Sequence, residues 1–189
     1  MKEIKPALLL FVLFTVICGG IYPAVVTGLA QLIFPRQANG SFLTNPAGER
    51  VGSRLIGQPF SDPKYLWPRP SATTDFCYNP LASGGSNAGP SNPAYVKTVD
   101  KRLQQLRNTG MTGPVAADLV QASASGLDPH ISPQAANQQI RRIAAARGMS
   151  EEKISNLIDA RTEPRQWGFM GAPRINVLAV NLDLDTMNP

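Results

Sequence analysis

The first feature of the chain is an apolar run. From Ala7 to Phe34 no side chain carries a charge, and the stretch includes LLLFVLFTVI and AVVTGLAQLIF. A bilayer core of roughly 30 Å needs about 20 apolar residues at ~1.5 Å rise each, so this run is long enough to cross a membrane as one helix. The reading is a short N-terminus at 1–6, a transmembrane helix with its extension at 7–34, and a domain at 35–189. Gly19, Gly20 and Pro23 interrupt the run. Such residues are tolerated where neighbouring helices re-satisfy the backbone, and adjacent glycines let another helix approach closely.

Beyond Pro35 the pattern changes twice. Up to about Pro93 the chain is rich in Gly, Pro, Asn and Ser, which excludes one regular helix, yet Phe60, Tyr65, Leu66, Trp67, Phe76, Tyr78 and Leu81 argue for an ordered irregular surface. Short strands are expected at 42–43 and 54–56. Helical spacing begins after Asn92, a capping residue followed by Pro93, with Val96, Val99, Leu103 and Leu106 on one face. A short helical segment is expected at 116–120. Ser132 and Pro133 repeat the cap-then-proline signal for a helix ending at Gly148, and Ser150 caps another in which Glu151 and Glu152 sit at the electropositive end. The final RINVLAVNLDLD alternates apolar and polar positions and reads as a strand, with Asp183 and Asp185 on its solvent face. The fold class is therefore a single N-terminal transmembrane helix followed by an α+β soluble domain.

Composition sharpens this picture in two ways. The chain has 189 residues, 43% hydrophobic and 16% charged, with a net charge of +5. The basic excess forms no stripe and is not interleaved with aromatics, so nucleic acid is not an expected partner, whereas membrane lipid is. Lys2 and Lys5 flank one end of the run closely and Arg36 the other, with Arg50 and Arg54 further on. Proximity favours the N-terminus inside and the long C-terminal domain outside. A cleavable leader is the competing reading, because basic residues precede the apolar core. The run nevertheless continues past Gly20 through Val25, Val26, Leu29, Leu32 and Ile33, longer than a leader core requires. Thr15, Val16 and Ile17 also suit no lipid attachment at Cys18. Only Cys77 lies downstream, so no disulfide forms within the soluble domain.

Catalytic constellations are scarce. His130 is the only histidine and reads as a surface or cap-adjacent residue, while Glu151 and Glu152 are explained by the helix dipole. No catalytic residue and no metal site is expected, and there is no GxxxxGK[ST] loop. One segment carries possible chemistry: Ser83, Gly84, Gly85, Ser86 and Asn87 precede the capped helix at Asn92, and glycine-rich backbone before a helix start can offer N–H groups to an anion. A structural turn is the plainer explanation of the same residues.

Several long motifs, in order and nearly end to end, resemble one family. They are KPALLLFVLFTVICGGIYPAVVTGLAQLIFPRQANGS, GSRLIGQPF, RPSAT, YNPLASGGSNAGPSNP and SASGLDPHISPQAANQQIRRIAAARG. Together they resemble the C subunit of the Kdp potassium-transporting P-type ATPase complex. The resemblance implies a non-catalytic, single-pass subunit of the plasma (inner) membrane with its C-terminal domain outside, in the periplasm. It also implies three protein partners: a potassium-binding channel-like subunit, an ATP-hydrolysing P-type subunit and a small single-helix subunit. The subunit would support assembly and raise the ATP affinity of the hydrolysing subunit. It would have no cofactor of its own, ATP and potassium entering through the complex. Carried over as nucleotide-binding candidates are Ser83, Gly84, Gly85, Ser86, Asn87 and Gln139. An outer domain does not meet cytoplasmic ATP, so direct contact sits poorly with that orientation. The alternative function is a secreted binding protein or hydrolase with a cleaved leader.

Overall fold

The computed structural model describes residues 3–187, so Lys2 of the basic start lies outside it. The chain divides into two compact units, the first ending at Phe42 and the second beginning at Leu43.

The first unit is built on a helical stretch of 30 residues, Ile4–Ile33. It comprises α1 (Ile4–Val16), a π-helical turn (Ile17–Ile21) and α2 (Tyr22–Ile33), and a short α3 (Pro35–Ala38) follows. The wide turn lies just ahead of Pro23. Proline has no N–H to offer the Gly19 carbonyl and its ring would collide with it, and one widened turn relieves both problems. Phe34 leaves the helix because Pro35 disfavours helical geometry in the residue before it. None of the most apolar stretch is buried within the chain. At ~1.5 Å per residue the helix is about 45 Å long, enough to cross a roughly 30 Å hydrocarbon layer with length to spare.

From the junction at Phe42 onward, β1 (Phe42–Thr44) pairs with β2 (Arg50–Ser53) through a tight turn closed by Asn45 and Glu49. The predicted strand at 54–56 is displaced to these earlier residues, because 54–56 form a turn tied by the Ile56 amide donating to the Ser53 carbonyl. An irregular, hydrogen-bonded stretch follows and contains one 3₁₀ turn (Pro80–Ala82). Next come α4 (Pro93–Asn108) and a second 3₁₀ turn (Ala117–Leu119). They are followed by β3 (His130–Ile131), α5 (Pro133–Asn137), α6 (Ile140–Arg147) and α7 (Glu151–Ala160). The chain ends with β4 (Thr162–Glu163), β5 (Arg174–Asn176) and α8 (Val177–Thr186). The small sheet is antiparallel with β5 central, His130 opposite Asn176 on one side and Glu163 opposite Arg174 on the other.

The expected caps form. Asn92 accepts from the Ala94 amide, Ser132 from Ala135 and Ser150 from Lys153. Two expectations change. The helix predicted from Ser132 to Gly148 is two helices, because at Gln139 the backbone tightens to an i−3 bond with the Ala136 carbonyl. The side chains of Gln138 and Gln139 are there drawn to other segments. The closing strand is only Arg174–Asn176; the rest is α8, capped by the Asn176 side chain accepting from the Ala179 amide at 3.0 Å. Its buried residues are Val177, Leu178, Val180, Asn181 and Leu184, which follow a helical spacing hidden inside the apparent alternation. Asp183 and Asp185 therefore belong to a helix, and they pair with Arg161 and Arg147 rather than lining a free strand face.

The core of the second unit is aliphatic. Ile143, Ile154 and Ile158 from α6 and α7 meet Ile175 of β5 and Val177, Val180 and Leu184 of α8, joined by Leu66 from the irregular stretch. The aromatic-rich segment is thus packed, although Phe76 and Leu81 remain exposed.

Candidate functional site

Leu66 and Trp67 have no strand or helix to satisfy their backbone, and two buried amides do so instead. Asn181 of α8 accepts from the Leu66 amide at 2.8 Å and donates to its carbonyl at 3.0 Å. Gln139 repeats the arrangement one residue on: Oε1 accepts from the Trp67 amide at 2.8 Å and Nε2 donates to its carbonyl at 3.1 Å. Each amide imitates one rung of a β-ladder, which explains why polar side chains occupy core positions here. Gln139 also accepts from Arg142 Nη2 at 2.6 Å and donates to the Ala135 carbonyl at 3.2 Å, so its hydrogen-bonding capacity is fully engaged within the chain.

Two arginines complete the strap. The Arg142 guanidinium lies 3.9 Å from the centre of the Trp67 ring and donates to the Tyr65 carbonyl at 3.0 Å and to that of Pro63. Burial pulls its pKa down to about 10, with the Asp62 carboxylate opposing, so it is cationic at neutral pH. Arg147 donates to the Lys64 and Leu184 carbonyls and to Asp185.

The glycine-rich candidates sit elsewhere in this unit, against the 123–127 segment. The Gly84 amide donates to the Ser125 carbonyl at 2.9 Å and the Ser83 hydroxyl to the same oxygen at 3.0 Å. A Cβ on Gly85 would stand 2.9 Å from the Ala124 carbonyl oxygen. Gly126 faces back, with φ +70°, and a Cβ there would meet the Gly84 carbonyl at 2.8 Å. Two glycine-bearing segments therefore meet backbone to backbone. Ser86 and Asn87 are exposed, Asn87 in the left-handed region. The hydrogen bonds of Gln139 run to Trp67, Ala135 and Arg142, and those of Ser83 and Gly84 to Ser125.

A cleft of about 480 Å³ in this unit is lined by Phe60, Trp67, Tyr78, Arg102, Leu106 and Leu119 among others. Tyr78 closes part of it. Its hydroxyl donates to the Arg69 carbonyl, and burial pushes its pKa well above the ordinary tyrosine value. Nearby, His130 lies half-buried on β3, its Nδ1 3.4 Å from Asp128, whose carboxylate also pairs with Arg69 at 3.1 Å. Burial alone would raise the Asp128 pKa. Hydrogen bonds from the His130 ring and backbone, together with the Arg69 charge, outweigh it and hold the carboxyl below the usual range. Among the described residues no group of three His, Cys, Asp or Glu side chains is placed to hold a metal ion.

Sequence reasoning singled out Gln139 but missed Asn181, Arg142 and Arg147. A signal for Asn181 existed: an amide at i+4 from Val177 and i−3 from Leu184, on the buried face of an otherwise aliphatic helix, requires a partner. The arginines gave no such signal, since their acceptors are backbone carbonyls some 80 residues away in sequence.

The family model described as K+-transporting ATPase, c chain (KdpC) matches residues 4–186, which takes in the apolar helix as well as the second unit. The potassium-transporting ATPase KdpC subunit of Geobacter sulfurreducens is 67% identical over 189 residues, covering 100% of both chains. The subunit of the same name from Geotalea uraniireducens is 62% identical over 188 residues, again with 100% of both covered. That of Methylococcus capsulatus is 53% identical over 188 residues and 98% of each chain. These matches give no support to a free secreted protein with a cleaved leader. Aligned with that family along nearly its whole length, the chain belongs to KdpC, the c chain of the K+-transporting ATPases.

Proposed function

We propose that this chain is a non-catalytic accessory subunit of an ATP-driven potassium uptake pump, held in the plasma (inner) membrane by one helix with its C-terminal unit on the outer side. Its work is assembly and stability of the complex. Its partners are the channel-like potassium-binding subunit, the ATP-hydrolysing P-type subunit and the small single-helix subunit. The observation that carries this reading is the helix Ile4–Ile33, apolar throughout its central stretch with none of it buried inside the chain, in a protein matched end to end by a pump-subunit family. A helix with no internal partner needs lipid or other helices around it, and Gly19, Gly20 and Gly28 have open space where a Cβ would stand.

A raised ATP affinity of the hydrolysing subunit follows indirectly in this reading. Ser83, Gly84 and Gln139 act through the shape of the second unit, because their polar groups are engaged internally, Gly85 acts through its close approach to Ala124, and an outer domain does not bring Ser86 and Asn87 to ATP. Extraction of native membranes in mild detergent after growth under potassium limitation tests the assembly role. The chain should migrate with the other subunits, and migration alone would overturn the reading. Protease access to the segment around Tyr95 from one side of sealed vesicles tests the orientation.

A further inference from the structure

The segment Arg165–Gly171 projects from between β4 and β5 and is not used by anything described above. It is a well-built turn. The Gln166 amide donates to the Met170 carbonyl at 3.0 Å and the Met170 amide to the Gln166 carbonyl at 2.9 Å. Its base is fixed by Arg174 donating to Glu163 at 3.0 Å. Yet its tip presents Trp167 at 83% exposure, Phe169 at 71% and Met170 at 45%, with the two rings 6.5 Å apart. Elsewhere in this unit the large apolar side chains most exposed to water, Leu55, Phe76 and Leu81, are separate along the chain.

We propose that this turn is a membrane-interface anchor, inserting Trp167 and Phe169 among lipid headgroups while Arg165 meets their phosphates. Three observations select lipid over another protein. First, the same chain carries the helix read above as spanning a membrane, and the residues 34–42 that follow it reach at most about 30 Å when fully extended, so the second unit begins within that distance of the helix end. Second, an indole and a phenyl ring on a short fixed turn are the side chains that favour the headgroup layer, where one end is apolar and the other wet. Third, the local charge is complementary to anionic lipid. Glu163 is neutralised by Arg54 and Arg174, and Asp183 by Arg161, which leaves Arg165 without a carboxylate partner among the described residues.

The inference rests on the helix Ile4–Ile33 lying in the membrane, so the test reads both. The full chain is reconstituted into vesicles of phosphatidylethanolamine and phosphatidylglycerol containing lipids brominated near the headgroup, beside a Trp167→Phe variant. The expected result is a blue-shifted, bromine-quenched emission component in the unaltered chain that is lost in Trp167→Phe. It should weaken in Arg165→Glu, and by more when phosphatidylglycerol is present than in phosphatidylcholine alone; equal weakening in both would overturn the anionic-lipid preference. Equal quenching of the unaltered and Trp167→Phe chains, with both co-eluting with lipid, overturns the anchor but leaves the spanning helix intact. Shielding of Trp167 that appears only on adding the other pump subunits overturns it in favour of protein docking. Failure of the chain to co-elute with lipid overturns both.

Discussion

Replacing Gln139 by methionine keeps the length and approximate volume of a fully buried side chain while deleting its amide. Four hydrogen bonds disappear: two with the Trp67 backbone, one with Arg142 and one with the Ala135 carbonyl. The decisive loss is at Trp67, whose N–H and C=O have no ladder to fall back on. Leaving a buried polar group unpaired costs about 1–3 kcal/mol, and Trp67 is only half-buried, so the lower part of that range applies to each group. Arg142 retains the Pro63 and Tyr65 carbonyls and the Trp67 ring and adds little to the loss. The added apolar burial returns ~1 kcal/mol. The net expectation is a destabilisation of about 1–3 kcal/mol, a sizeable share of the typical 5–15 kcal/mol for a whole domain. Urea titration of the full chain in one detergent, followed by tryptophan emission and near-ultraviolet circular dichroism, measures it as a lower midpoint at unchanged slope. A loss under ~1 kcal/mol would mean that water re-satisfies Trp67 and that the amide ladder is not a structural necessity. A variant of full stability whose assembled pump needed more ATP would refute the internal role of Gln139 more directly.

The two loop glycines should behave differently. Gly85→Ala places a methyl 2.9 Å from the Ala124 carbonyl and is expected to cost roughly 1–3 kcal/mol in thermal unfolding, whereas Gly84→Ala, with nothing within 4 Å, should be near neutral. Equal effects would reject the close-approach argument. For Asp128 the folded carboxyl titrates below its unfolded value, so its contribution is present above about pH 4 and is lost as pH falls through the folded pKa. Asp128→Asn should flatten the acid limb of a stability profile below about pH 4, and an unchanged limb would assign acid sensitivity to other carboxylates. Arg142→Lys keeps the charge but not the planar stack on Trp67, nor the two-nitrogen reach by which Nη1 serves the Pro63 and Tyr65 carbonyls while Nη2 donates to Gln139. It should lower stability by about 1–2 kcal/mol, measurable by the same urea titration, and a neutral result would show that charge alone suffices.

The sequence by itself determined whatever depends on local chemistry and short periods. The charge-free run required a long exposed helix, and Asn92, Ser132 and Ser150 placed helix starts because a cap acts within three residues. It also showed, through its aromatics, that the proline- and glycine-rich stretch is ordered. The identity of α8 was legible only in part: its apolar face is wide enough that period 2 and period 3.6 both fit RINVLAVNLDLD, and burial on several sides of the helix decided between them. The split after α5 likewise depended on where Gln138 and Gln139 find their partners, at Pro114, Ala116 and Trp67. What only the tertiary structure decided is how a stretch without secondary structure becomes a surface. Asn181, Gln139, Arg142 and Arg147 supply the hydrogen bonds that strands would otherwise provide, across sequence distances no local pattern records. The glycine-rich segment gained its physical explanation in the same way, since the need for Gly85 lies in a carbonyl of Ala124 that comes close only once the chain has folded.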